Sequence, residues 1–272
     1  MLLKEFIKGG VKHGLRLIRE PAYREWCRLV GRYSHFPRHQ EQELVVSGMS
    51  LRVPDVASFL SGWYEIFLED IYRFQCQEHE PVIIDFGANI GLSVIFLKRL
   101  FPDAKLFAYE ADPYIFRFLE ENVSRNVSGS VTLCREAIWT SDGELYFQGD
   151  RADGGRIMRE KELGSVKVQT TDIRKVLGRF EKIAFLKMDI ESAEREVIPA
   201  AGELLDRVEK IFVEYHSPVG KGQRLAELLG CLEKAGFRVT VQSIGSAPAP
   251  FLADYGKSIF DLQLNIWGRR EG

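Results

Sequence analysis

The sequence predicts an α/β fold built on a doubly wound, mostly parallel sheet. Three observations lead there. From Val82 onward, short apolar runs alternate with segments of helical spacing, the pattern of repeated βα units. Successive runs stop at a carboxylate, first Asp85, then Glu110, then Glu136. The chain is 272 residues long, 45% apolar and 28% charged, which is enough for one large core in an ordinary globular protein.

Taken in order, the elements begin with a helical N-terminal extension over residues 1–41. Leu3, Ile7, Val11 and Leu15 recur every four residues beside Lys4, Lys8, Lys12 and Arg16, although Gly9, Gly10 and Gly14 weaken the helix. Residues 1–40 hold nine Lys and Arg against three Glu, so the remainder carries about −8 of the total −2. A basic amphipathic helix either packs on its own domain or lies on an anionic membrane surface. Packing is the expectation, with peripheral membrane contact the lesser alternative.

Residues 42–80 read as a lead-in to the core. QELVVSGMSLRV is two strands around a Ser47-Gly48 turn, and Trp63, Phe67, Ile71 and Phe74 follow at helical spacing as core residues. The core proper spans 81–272. Strands are predicted at 82–86, 105–110, 130–134, 183–188, 210–215, 237–241 and 262–267. Helices are predicted at 90–100, 114–125, 193–201 and 224–235, with Gly236 as a helix stop. An inserted β pair, 144–147 with 165–170, surrounds the polar loop DRADGGR, whose Arg151 and Arg156 are at most readers of an anionic acceptor.

Composition excludes several classes. A net charge of −2 gives nucleic-acid binding no support. Four dispersed cysteines without a C-x-x-C pair suggest neither zinc nor disulfides. No apolar run approaches the ~18 residues of a membrane span, and no signal peptide is evident, so a cytoplasmic protein is expected. The N-x-S sequons at Asn122 and Asn126 fall in a predicted helix and carry no meaning there.

The stretch VIIDFGANIGLSVIF places a strand, an acid, a turn and a helix in succession. In open α/β sheets, ligands bind beyond the strand ends, where the strand order reverses. Gly87-Ala88-Asn89 and Gly91 form the turn, with the glycines admitting positive φ and leaving room for a ligand. Asp85 would repel a pyrophosphate but suits a cationic ligand such as S-adenosylmethionine, whose ammonium it would bind directly or through water. Glu110 lies about twenty residues on, where an acid grips two ribose hydroxyls. Ala111 then borders the adenine, with Glu136 and Ala137 at its rim.

VIIDFGANIGLSVIF, FAYEADP, FLKMDIESAEREVI and VEYH together resemble the FkbM family of S-adenosylmethionine-dependent methyltransferases. The resemblance is strongest over 82–216. It implies a class I methyltransferase (Rossmann-like) fold with seven strands, and methylation of a hydroxyl on a sugar, glycan or natural product. The family's D-x-E-G-A-E reads Asp189, Ile190, Glu191, Ser192, Ala193, Glu194 here. The serine would cap the following helix and add a side chain near the pocket.

Methyl transfer to a hydroxyl needs alignment and a base. His216, just past the fifth strand, is the first candidate and Glu191 the second, while Asp189 orients the acceptor or lies by the methionine moiety. Glu194 and Glu196 read as exposed helix residues. Asp189 and Glu214 lack a clear third ligand, so no metal is expected. The rivals are an NAD(P)-dependent oxidoreductase, opposed by Asp85 and the missing G-x-G-x-x-G, and a non-catalytic nucleoside-binding module. A phosphate loop at Gly256-Lys257-Ser258 fails because Phe251 stands where a glycine is needed.

Overall fold

The computed structural model describes residues 16–149, 155–158, 163–244, 250–252 and 259–270. The predicted helix from Leu3 to Leu15, Arg151 and the Gly256-Lys257-Ser258 stretch lie outside these.

Helix α1 (Pro21–Tyr33) leads to a hairpin, β1 (Gln42–Val46) and β2 (Met49–Val53), paired antiparallel around Ser47 and Gly48. Both turn residues have positive φ, 47° and 78°, as a two-residue hairpin turn requires. Helix α2 (Val56–Trp63) starts where the Asp55 carboxylate accepts the Ser58 N–H. It then widens into a π-helical turn, Tyr64–Leu68, and stops. The aromatic series thus leaves the helix before Ile71 and Phe74, although Trp63 and Phe67 still stack at 4.2 Å, and Phe74 packs on Phe185 at 4.9 Å.

The alternation then runs β3 (Val82–Phe86), α3 (Leu92–Leu100), β4 (Lys105–Tyr109), α4 (Pro113–Asn126) and β5 (Val131–Cys134). After an insertion it resumes with α5 (Ile173–Leu177), β10 (Phe185–Met188), α6 (Glu194–Ala201), β11 (Lys210–Pro218), α7 (Leu225–Lys234), β12 (Arg238–Ser243) and β13 (Phe260–Arg269). These strands form one seven-stranded sheet in the order β12-β13-β11-β10-β3-β4-β5. The pairs from β11 to β5 are parallel, and β13 lies antiparallel between β11 and β12. This is the class I methyltransferase fold, α/β and Rossmann-like, and all seven predicted strands are present.

Strand alternation sorts the core into two layers. Ile83, Leu106, Phe185 and Phe212 face a cluster shared with the hairpin, α2, α3 and α4. Ile84, Leu186, Val213 and Ile266 face a second cluster with α5, α6 and α7. The hairpin is fixed to α4 by Asn122 and Asn126, one helical turn apart. Asn122 receives the Arg52 N–H at 2.7 Å and donates to Arg52 O and Ile90 O, both at 2.9 Å. Asn126 makes the same paired bonds with Ser50.

The insertion is a four-stranded sheet in the order β6-β9-β7-β8, from β6 (Ala137–Trp139), β7 (Gly143–Gly149), β8 (Gly155–Met158) and β9 (Val166–Asp172). The predicted pair is its β7–β9 ladder, with Glu144 opposite Gln169. Strands β6 and β8 are too short, at three and four residues, to show a period. Arg156 lies on β8.

Candidate active site

The sheet order reverses between β3 and β10, and a crevice opens at that switch point. A cavity of about 390 Å³ lies there, lined by Gly87, Asn89, Asp189, Glu191, Glu214 and His216 among others. Three chain segments far apart in sequence therefore meet. Glu65, from the π-helical turn, also lines the cavity, whereas Tyr64 packs against Trp26.

The turn after β3 is built for close packing inside the protein. Gly87 has φ 81°, and a Cβ there would sit 1.7 Å from the Asp189 carbonyl oxygen. Gly91 has φ 90°, and its Cβ would meet Leu119 at 3.0 Å and Val123 at 3.3 Å. The expectation of positive φ holds. The space each glycine spares is taken inside the protein, by Asp189 just past β10 at Gly87 and by α4 at Gly91, while Gly87 also lines the cavity. Helix α3 begins at Leu92, two residues later than expected, after Asn89 takes φ 47°.

Asp85 is fully buried and does not line the cavity. It receives the Ser93 hydroxyl at 2.5 Å and is ion-paired with the Lys187 ammonium at 3.1 Å. Lys187 is its direct neighbour across the β3–β10 ladder, and it does line the cavity. An open carboxylate awaiting an ammonium is therefore not what the fold builds, since the charge of Asp85 is already partnered. Lys187 also donates to Gly87 O at 2.7 Å and lies 3.6 Å from Asp189 Oδ2. Burial alone would lower its pKa, but Asp85 and then Asp189 raise it well above the ordinary value. Lys187 is not among the residues that the sequence singles out. Its signal was a lone lysine inside the buried run FLKM, which demands a counter-charge.

Glu110 follows β4 and is 9% exposed. Its two oxygens accept the N–H groups of Asn89 at 2.9 Å and Asp112 at 2.8 Å. Burial pushes its pKa up to about 7 despite those bonds. Beside it Ala111 packs against Ala137, Phe147 and Val168, so the two predicted adenine-rim alanines share one apolar cluster. The Glu136 carboxylate accepts the Thr171 hydroxyl of β9.

The other acids gather around His216. Glu214 and His216 project from the same face of β11, as residues two apart on a strand must. His216 is 2% exposed, with Nε2 3.4 Å from Glu214 and Nδ1 3.5 Å from Glu194. Burial would lower the imidazole pKa, but Glu194 and Glu214, with Glu191 nearby, hold it well above 6.5. Burial and neighbouring charge likewise raise Glu191 and Glu214. Glu191 and Ser192 both have positive φ, 55° and 75°. Ser192 is therefore not the predicted cap: α6 starts at Glu194 after Ala193, with no side-chain cap. The expected exposure of Glu194 is also corrected, for it is fully buried and accepts the Ile190 N–H at 2.8 Å. Glu196 is half-exposed and pairs with Arg224 at 2.5 Å.

Asp189, Glu214 and His216 bring one potential donor atom each within 4.8 Å of one another. The fold thus supplies the third group that the sequence did not show beside the two carboxylates. The Lys187 ammonium and the imidazole already offset much of that negative charge.

Comparison with known proteins matches residues 85–239 to the methyltransferase FkbM domain. The chain belongs to the FkbM methyltransferase family. It is 28% identical over 227 residues to methyltransferase sdnD of Sordaria araneosa, covering 69% of this chain and 85% of that one. It is 26% identical over 223 residues to 31-O-demethyl-FK506 methyltransferase FkbM of Streptomyces tacrolimicus, with 68% and 84% covered. Hexuronic acid methyltransferase AglP of Haloferax volcanii shares 28% over 155 residues, 56% of this chain and 63% of that protein. A solved FkbM methyltransferase from Methylobacillus flagellatus aligns with TM-score 0.46 at 15% identity, over 78% of this chain and 53% of that one.

Membership makes this FkbM-family protein an S-adenosylmethionine-dependent methyltransferase and decides against the oxidoreductase alternative. The residues fit that donor. A buried carboxylate, Glu110, stands beside the apolar pair Ala111 and Ala137, and the neighbouring cavity is lined by the carboxylates Asp189, Glu191 and Glu214. A nucleoside carrying sulfonium and ammonium charge is complementary to both. Among the described residues no helix is long and apolar enough to cross a membrane.

Proposed function

We propose that this methyltransferase acts on oxygen, methylating a hydroxyl group of a sugar, glycan or natural product. One observation carries the reading: a buried histidine held between carboxylates faces the cavity beside the family's turn. The relatives support it by what their names state: a hexuronic acid methyltransferase, a 2-O-methyltransferase and a 31-O-demethyl-FK506 methyltransferase.

S-adenosylmethionine, when bound, supplies a methyl group made electrophilic by the sulfonium. Glu110 holds the ribose hydroxyls, with Gly87, Ala88, Asn89 and Gly91 shaping the turn beside them. Ala111 and Ala137 flank the adenine, and Glu136 stands at its rim. Asp85 acts through Lys187, which balances its charge and fixes the Gly87 carbonyl. Asp189 orients the acceptor or the methionine end. His216 removes the hydroxyl proton as the oxygen attacks, and Glu191 is the second candidate for that role. Because its neighbours keep the resting imidazole protonated, His216 must first lose that proton to act as a base.

The test is transfer of a labelled methyl group from S-adenosylmethionine to uronic acids, neutral sugars and macrolide alcohols, with the product linkage read by NMR. Transfer to oxygen is expected. Transfer to nitrogen or carbon alone, or donor binding without turnover on any acceptor, defeats the reading. His216→Ala should bind the donor normally and lose turnover. Full activity in that variant would move the base to Glu191.

A further inference from the structure

The mechanism leaves one fully buried carboxylate without a task. Glu194 opens α6, and its side chain is cut off from solvent. The positive φ values of Glu191 and Ser192 fold the chain back ahead of α6. The Ile190 N–H, at 2.8 Å, pins Oε1 of Glu194. That same oxygen lies 3.5 Å from Nδ1 of His216, and both Oε2 and Nδ1 are buried with no hydrogen bond among the described residues. Taking an ionised carboxylate out of water is costly unless a cation or strong donor compensates it. Among the described ion pairs of Glu194, His216 is the partner.

We propose that Glu194 is a positioning residue that accepts the Nδ1 proton of His216 and thereby aims Nε2 at the acceptor cavity. A histidine ring has two distinct nitrogens, and the bond made by one decides what the other can do. With Nδ1–H committed to Glu194, the lone pair of the neutral ring is confined to Nε2, on the side of Glu214. The remaining groups around the ring are consistent with this division. Phe260 of β13 packs on it at 4.9 Å, and Gln263 of the same strand is its ladder partner. Glu191, from the turn before α6, adds negative charge that favours the imidazolium. Glu194 is thus the only carboxylate with an oxygen on the Nδ1 side among the described ion pairs. The inference rests on His216 being the base, but its test does not need turnover.

The experiment is proton and nitrogen NMR of the full chain labelled at histidine nitrogen, with S-adenosylhomocysteine present, and donor affinity measured by calorimetry. The wild-type protein should show a low-field Nδ1–H resonance that His216→Gln removes. Glu194→Gln should lose that resonance or shift it upfield, and at alkaline pH its neutral His216 should show mixed tautomers, while affinity for S-adenosylhomocysteine stays unchanged. Unchanged His216 nitrogen and proton shifts in Glu194→Gln overturn the proposal. If that variant does not fold, Glu194→Asp decides: a displaced Nδ1–H resonance supports the proposal and an identical one overturns it. Retained turnover in His216→Ala would instead defeat the base assignment, leaving the contact between Glu194 and the ring to be judged on the spectra.

Discussion

At the residue scale, two buried ionisable groups make the donor and acceptor steps pH-dependent in distinguishable ways. Burial raises Glu110 to about 7, yet its proposed ribose role needs the carboxylate. Acidification below that value protonates it, so donor affinity should fall about tenfold per pH unit below 7 and level off above. Calorimetric titration from pH 5.5 to 8.5 measures this, and Glu110→Ala should weaken binding at least about 100-fold. A flat profile would remove Glu110 from the ribose. His216, the proposed base, acts on turnover rather than on donor affinity. Its raised pKa means the imidazolium stabilises the fold fully below its unfolded value, and that contribution is lost as pH rises through the folded value. The base form appears over the same rise, so turnover should climb with pH above neutrality. A rate that is constant from pH 6 to 9 would show that the imidazole does not take the proton.

At the element scale, the joints between elements are held by residues whose work is invisible locally. Asn122 and Asn126 dock the hairpin on α4 by imitating a neighbouring strand. Asn122→Ala leaves the Arg52 N–H and the Arg52 and Ile90 carbonyls without their partner and should cost about 2–4 kcal/mol, read by denaturant unfolding. The joint between β10 and α6 is strained. Ser192 has φ 75°, a conformation that costs a side-chain-bearing residue about 1–2 kcal/mol. Ser192→Gly, which restores the family's usual residue, should therefore stabilise the protein by about 1 kcal/mol. No gain on thermal unfolding would mean that the hydroxyl makes a compensating contact. The hairpin and its turn were legible because strand alternation and Ser47-Gly48 are local signals. The asparagine pairs were not, since they join residues 70 and 76 positions apart.

At the scale of the whole molecule, the reversal of strand order gathers the acids into one crevice. Lys187, Asp189, Glu214 and His216 reach it from β10, the turn after it and β11, Asp85 pairs with Lys187 from beneath, and the Lys187 ammonium together with the imidazole balances part of the negative charge. Methyl transfer is accordingly expected to survive exhaustive treatment with EDTA. A loss of activity restored by Mg²⁺ would assign Asp189, Glu214 and His216 to a divalent cation instead. The seven strands of the main sheet could be read from the chain because each is an apolar run with a clear stop. The placement of β13 between β11 and β12 could not, because pairing order across a sheet leaves no mark on a strand's own composition.

The sequence by itself determined the period of each long element, the turn after β3 with its obligatory positive φ, and the acids at the strand ends. These follow from local sterics and from the burial of apolar faces, which operate over a few residues. Tertiary structure decided which acid meets which base. Asp85 is paired with a lysine 102 positions later, and Glu194, the first residue of α6, is buried against His216. Such pairings are set by where the sheet brings distant strand ends together, and desolvation there fixes their charge. Neither quantity exists until the chain has folded.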